Sequence, residues 1–242
     1  FAEAGAPVGA SSLEVACHVV STPDTMLIVD STFRRTAPHV FPRVLEEIAR
    51  HESRHTGSRP IEVLYTHAHF DHAGGRAAIE GLGAGVTTLA HPYTRALFPL
   101  VSRPETMFRS KGQFLRDCGI TPPMEELFAG YSAAREQLLD RAPRHLDLGL
   151  FRSAEESGLR VDRVIDPAVE PVALLGGRAE VLRFDGHIPG HLCLLVDGGH
   201  LITGDMWLPA TTSTVTPGSL AAQVGVPAET CGVLRYLESS ER

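Results

Sequence analysis

Between Ile61 and Glu80 the chain reads as strand, ligand-rich loop, turn and helix, and this stretch limits the fold more than any other. Ile61-Glu62-Val63-Leu64-Tyr65 is a short run of β-formers, the pattern of a buried strand. Thr66-His67-Ala68-His69-Phe70-Asp71-His72 follows at once. Gly74-Gly75 then lets the chain turn tightly, and Arg76-Ala77-Ala78-Ile79-Glu80 starts a helix. A loop at the carboxyl end of a strand is where open α/β sheets bind their ligands.

Four metal-ligand types stand in that loop: His67, His69, Asp71 and His72. Imidazole with carboxylate suits Zn²⁺, Fe or Mn²⁺ better than soft or purely oxygen-loving ions. His67 and His69 are two residues apart, so in an extended segment they point the same way. Asp71 and His72 are adjacent and diverge on a curling loop. The spacing therefore predicts two cations, one on His67 and His69, the other on Asp71 and His72. The alternative is four polar residues in solvent, against which their density directly behind a strand argues.

The rest of the chain supplies a frame for this loop. Its 242 residues suit one large domain or two small ones, and 43% hydrophobic residues suffice for a sizeable core. Lys+Arg 22 against Asp+Glu 29 gives a net charge of −7, which argues against a general nucleic-acid binder. No apolar run is long enough to span a membrane. Cys17, Cys118, Cys193 and Cys231 are scattered, so neither a disulfide framework nor a zinc knuckle is expected, and a cytoplasmic setting follows. Residues 1 to 12 read as a loose lead-in. Leu13 to Val20 and Met26 to Val29 read as a hairpin closed by Asp30. Phe41, Val44, Leu45 and Ile48 recur at helical spacing. Val86 to Ala90 is the next strand, completing a βαβ unit. Residues 92 to 158 carry little β signal and several helical patterns, and read as a helical insert or lid within a single domain of residues 1 to 242. Phe98, Phe108, Phe114, Phe128 and Tyr131 are expected in the insert's own core, and Arg103, Arg109 and Lys111 on a solvated face. Val161 to Ile165, Val172 to Leu174 and Ala179 to Phe184 return to β and are expected to begin a second sheet, with Gly176-Gly177 as a hairpin turn.

The His-x-His-x-Asp-His run of residues 67 to 72 resembles the metallo-β-lactamase superfamily of hydrolases, and two later segments extend the likeness. Asp185-Gly186-His187-Ile188-Pro189-Gly190-His191 resembles the superfamily's Pro-Gly-His-Thr-x-Gly-His segment. Aligned on the final Gly-His and the apolar strand Leu192 to Val196, it puts His187 at the ligand position and His191 at the second, non-ligand one, with Asp185 replacing the usual Pro. Matching Pro189-Gly190-His191 to Pro-Gly-His would select His191 instead. Gly204-Asp205 resembles the motif whose carboxylate bridges two metals, since two oxygens can hold two cations.

The resemblance implies an α/β fold, an αβ/βα sandwich of two facing mixed sheets with outer helices and the metal site at one edge. Asp30 would lie beneath that site as a structural hydrogen-bonding residue, and His91 would not be a ligand. One metal would be held by His67, His69 and His187, the other by Asp71 and His72, with Asp205 between them. Two zinc ions are expected, with Fe or Mn as substitutes. Asp71 and Asp205 would be the catalytic carboxylates, and a metal-bound hydroxide would attack an ester-type small molecule such as a thioester or lactone, as in the glyoxalase II-like group. No His follows His200. The late His of a full dinuclear site therefore has no counterpart, and the final strand and helix of the fold are expected to be missing. Two alternatives stand beside the hydrolase: a mononuclear iron enzyme of the persulfide dioxygenase type, which shares the fold, and a non-catalytic binding relative. Neither nucleic acid nor membrane is expected as a partner.

Overall fold

The computed structural model describes residues 16–32, 37–51, 60–82, 85–101, 159–207 and 215–240. The lead-in, most of the segment 92–158 expected as a helical insert, Cys118, Arg103, Arg109, Lys111 and the aromatics beyond Phe98 lie outside these residues. Strands β1 (His18–Ser21), β2 (Met26–Val29), β3 (Ile61–Leu64), β4 (Val86–Ala90) and β5 (Arg163–Val164) form one sheet in that order. β1 is antiparallel to β2, and the remaining pairs are parallel. Strands β6 (Val172–Leu174), β7 (Ala179–Phe184), β8 (His191–Val196) and β9 (His200–Ile202) form a second sheet, antiparallel throughout.

The continuous apolar run of β2, and Val63-Leu64-Tyr65 at the end of β3, follow from burial on both faces, as inner strands in a layered fold require. Leu27, Val29, Leu64 and Leu89 meet Val172, Leu174, Val181, Leu192 and Leu194 in the layer between the sheets. Ile28, Val63, Tyr65 and Ala90 face the other way. There they meet helices α1 (Ala37–His51), α3 (Arg76–Glu80) and α4 (Pro92–Val101) through Phe41, Ile79, Leu97, Phe98 and Val101. Each such Leu, Ile or Phe contributes roughly 1.5–3 kcal/mol by leaving water. Phe41 is fully buried, and Val44 and Leu45 are half-buried; the side chain of Ile48 is outside the described set. Phe98 thus belongs to the helix layer over the first sheet, with the Arg76 guanidinium 4.9 Å from its ring centre.

One expectation is corrected. The segment Val161 to Ile165 does not open the second sheet: β5 pairs with β4, Leu89 opposite Arg163, and completes the first. The lock is polar, with the Thr88 N–H donating to Asp162 Oδ2 at 2.9 Å. The second sheet begins at β6, and the Leu175–Gly177 turn that follows has three successive positive φ values, two of them on the glycines. Past β9 come two short helices, α5 (Gly218–Ala221) and α6 (Val233–Ser240). Gly186 lies so close to Tyr236 of α6 that a Cβ there would collide with its backbone. Among the described residues no helix is long and apolar enough to cross a membrane.

Candidate metal centre

The first sheet delivers the loop. β3 ends at Leu64, and Tyr65, Thr66 and His67 continue inward, all buried. His69 caps one helical turn, α2 (Phe70–Ala73), whose His72 and Ala73 N–H groups donate back to His69 O. Adjacent helical residues differ in direction by about 100°, so this turn separates Asp71 from His72. A hairpin arm grips it from below. Ser31 N–H and hydroxyl both donate to His72 O, and Gly75 N–H donates to Thr32 O. Gly75 sits so close that a Cβ would collide with Ser31 O and Ala37 Cβ. Asp30 and Thr32 hold φ of 64° and 58°, a left-handed backbone that is strained for residues with a Cβ and is held here by those hydrogen bonds.

The second sheet supplies the remaining candidate ligands. The β7–β8 loop carries His187, and the turn Gly204–Met206 after β9 carries Asp205. His67 Nε2 lies 3.0 Å from His69 Nδ1, and His187 Nε2 lies 3.1 Å from the same atom. Asp205 faces both sides: Oδ1 is 3.1 Å from His72 Nε2, and Oδ2 is 3.7 Å from His187 Nε2. Asp71 Oδ2 is 3.9 Å from His72 Nε2. Two groups result, each with ligand atoms within 4.8 Å of one another: His67, His69, His187 and Asp205; and Asp71, His72 and Asp205.

The outer hydrogen bonds set which nitrogens are free for a cation. Asp30 Oδ1 accepts the Thr66 N–H at 2.7 Å, and Oδ2 accepts the Thr66 hydroxyl at 2.8 Å. With its proton given to Asp30, the Thr66 oxygen accepts Nδ1–H of His67 at 3.0 Å, which leaves the Nε2 lone pair facing His69. His72 Nδ1 donates to Asp30 Oδ2 at 2.8 Å, which points its Nε2 at Asp205, as an N–H donor to that carboxylate while the ring is protonated and as a lone pair for a cation once that proton leaves. One buried carboxylate thus assigns a tautomer in each group. Converging imidazole lone pairs with carboxylates between them fit a divalent cation of the zinc, iron or manganese type.

Electrostatics agrees with that division. Burial first, then neighbouring imidazoles, holds His67 and His69 well below their ordinary pKa, so both are neutral donors. Burial pushes His72 down, but the Asp30 carboxylate and Asp205 outweigh it and raise it well above its usual value. Burial would raise Asp205, yet the His72 hydrogen bond and charge keep it well below the ordinary carboxylate range. Asp71 is raised, by burial, against the pull of His72.

His191 joins neither group. It is buried and stacked on His67 with ring centres 4.9 Å apart, and its Nε2 accepts the Asp205 N–H at 3.2 Å. It supports Asp205 from behind, and a Cβ on Gly204 would press on its ring. His91 is buried elsewhere, its Nδ1 accepting the Tyr93 N–H and its ring against Gly190. Sequence reasoning missed Thr66, whose only signal is a hydroxyl residue between the strand and the first His. It also missed the contacts of Asp185, visible only as an acid where a Pro was expected.

The profile of the metallo-beta-lactamase superfamily matches residues 13–230. No curated protein matches the chain significantly. Among solved structures, the metallo-beta-lactamase of Hirschia baltica shares 16% identity over 93% of this chain and 71% of its own, with a TM-score of 0.44. FEZ-1 from Legionella gormanii shares 17% over 81% and 60%, at 0.42. A motif mutant of the Cronobacter sakazakii enzyme shares 16% over 76% and 54%, at 0.39, so the chain spans about half the length of that relative. Likenesses this distant carry no argument of their own. The profile match over most of its length does: the chain belongs to the metallo-beta-lactamase superfamily.

Proposed function

We propose that this protein is a metal-dependent hydrolase of a small ester-type substrate, a thioester, lactone or related acyl compound, within the glyoxalase II-like part of its superfamily. His67, His69 and His187 would hold one cation and Asp71 and His72 a second, with Asp205 shared, and zinc is the ion the donor set favours. The observation that carries the reading is Asp205, whose two oxygens face His187 and His72 separately. We also propose that residues 92–158 form an insertion within one domain, with α4 as its packed beginning.

Bound cations would acidify a water and polarise the substrate's carbonyl oxygen. The chain's own residues do the rest. Asp71 Oδ2 and the Asp205 oxygens are acceptors on which an attacking water can be oriented and to which its proton can pass. Thr66 and Asp30 fix His67 and His72 so that neither imidazole turns away. Burial of His67 and His72 keeps bulk water from competing for their nitrogens.

Elemental analysis of wild type, His187→Ala and His191→Ala tests this. Two zinc ions per chain, with one lost in His187→Ala and both kept in His191→Ala, is the expected result. One iron per chain with oxygen consumed during turnover would instead identify the dioxygenase chemistry, and a folded protein that takes up no metal would end the enzyme reading.

A further inference from the structure

Asp185 stands where the resemblance expects a Pro, and it is 3% exposed. A Pro would offer no acceptor there. Asp185 Oδ1 accepts the Gly190 N–H at 2.8 Å, so the first residue of the β7–β8 loop grips one near its end. Inside that closed loop sits His187. The carboxylate is itself anchored. Arg183 takes it in a two-point fork, Nε to Oδ1 at 3.1 Å and Nη2 to Oδ2 at 3.1 Å. Such forks fix direction as well as distance. Arg183 Nη1 also donates to Asp166 at 3.2 Å, in the segment that follows β5 of the first sheet. Arg235 of α6 adds Nη2 to Oδ2 at 3.3 Å. A chain of charges therefore runs from the first sheet through the second to the last helix, and the loop hangs from its middle.

The far side of the loop is equally constrained. Gly190 has φ of 72°, and a Cβ there would enter the His91 ring. The His187 carbonyl accepts the Thr216 N–H at 2.9 Å and its hydroxyl at 3.0 Å. The backbone on both sides of the imidazole is thus pinned, and the Gly190 hydrogen bond closes the ring.

We propose that Asp185 is a positioning residue for His187: by accepting the Gly190 N–H from a carboxylate locked by Arg183 and Arg235, it sets where His187 Nε2 stands relative to His69. This rests on His187 being a metal ligand, as proposed above. Asp185 touches no ligand atom and acts only through the loop.

The test is zinc affinity, measured by competition with a chromophoric chelator, with far-UV circular dichroism as the control for folding. Asp185→Ala leaves Arg183 with Asp166 and Arg235 with Glu238, so the fold has reason to survive. It is expected to weaken zinc binding ten- to a hundredfold, the usual effect of losing an outer-shell partner. Asp185→Asn keeps an oxygen for Gly190 but sets an amide N–H₂ where Oδ2 meets Arg183 and Arg235, and is expected to lose roughly three- to tenfold, less than Asp185→Ala. In a His187→Ala background, Asp185→Ala should add no further loss. Full-strength binding by Asp185→Ala, or the same added loss without His187, would overturn the proposal. Were Asp185→Ala unfolded, full-strength binding by the isosteric Asp185→Asn would overturn it as well, because the locked carboxylate is gone there. Unchanged zinc affinity in His187→Ala would remove both the ligand assignment and this inference. Weakened binding in His187→Ala beside normal binding in Asp185→Ala would remove the inference alone.

Discussion

His91, buried outside both ligand groups, shows how a single side chain reports on folding. Its Nδ1 accepts the Tyr93 N–H, and protonation there would break that bond inside the protein. Burial first, and then the nearby Arg183 charge, pushes its pKa down to about 4, against the pull of Asp166 and Asp185. The unfolded chain therefore binds this proton more readily than the folded one. The stability His91 contributes is complete above its unfolded pKa, near 6.5, and is lost as pH falls toward 4. The loss is on the order of 3 kcal/mol. In His91→Gln it is absent, so the stability gap between wild type and variant should shrink by that amount between pH 7 and pH 4. Urea unfolding across that range measures it, and a gap that stays constant would show that His91 titrates normally.

Elements differ in how much of their position the local sequence carries. β2 and β4 have the bounds their runs of β-formers suggest, β2 because it is buried on both faces and β4 because Leu89 and Ala90 bury opposite faces at its end. β5 has only two residues, both exposed, and no periodicity to read; its place was decided by Thr88 and Asp162, a pairing 74 residues long. The α2 turn is equally hidden, since four residues do not make a stable helix alone. Its His72 carbonyl is held by Ser31, 41 residues away. The six candidate donors His67, His69, Asp71, His72, His187 and Asp205, which the structure brings together, were legible because each stands in a loop just past a strand, and strand ends are easy to find. The clamps around them were not, because a hydrogen bond such as Gly190 to Asp185 leaves no periodic trace. Gly75 marks a contact between elements too close for a Cβ, where α3 begins against the hairpin arm. Gly75→Ala should destabilise the metal-free protein by about 3 kcal/mol, the upper range for forcing extra volume into a packed site. Denaturant unfolding decides it, and a loss well under 1 kcal/mol would mean that the arm yields freely.

At the scale of the whole molecule, the candidate ligands come from both sheets, and the sheets otherwise meet through apolar packing and bonds such as Leu192 N–H to Thr66 O. A cation at this edge should therefore strengthen both sheets together. Zinc at a hundredfold excess over its Kd should stabilise folding by about 2.7 kcal/mol, and a chelator should reverse the gain. Thermal unfolding is expected to shift as one transition. A zinc-sensitive transition beside an insensitive one would show that the sheets unfold separately. The same division of ligands has a consequence for how the protein is made. His69 and His187 touch across 118 residues of chain. Synthesis runs from the N-terminus, so the first four donors leave the ribosome long before their partners exist. Until Asp205 has emerged and the second sheet has docked, those donors form only a fragment of a site, open to whichever cation the surroundings offer. Correct loading must then wait for a finished fold, and metal selection becomes a late step of biosynthesis.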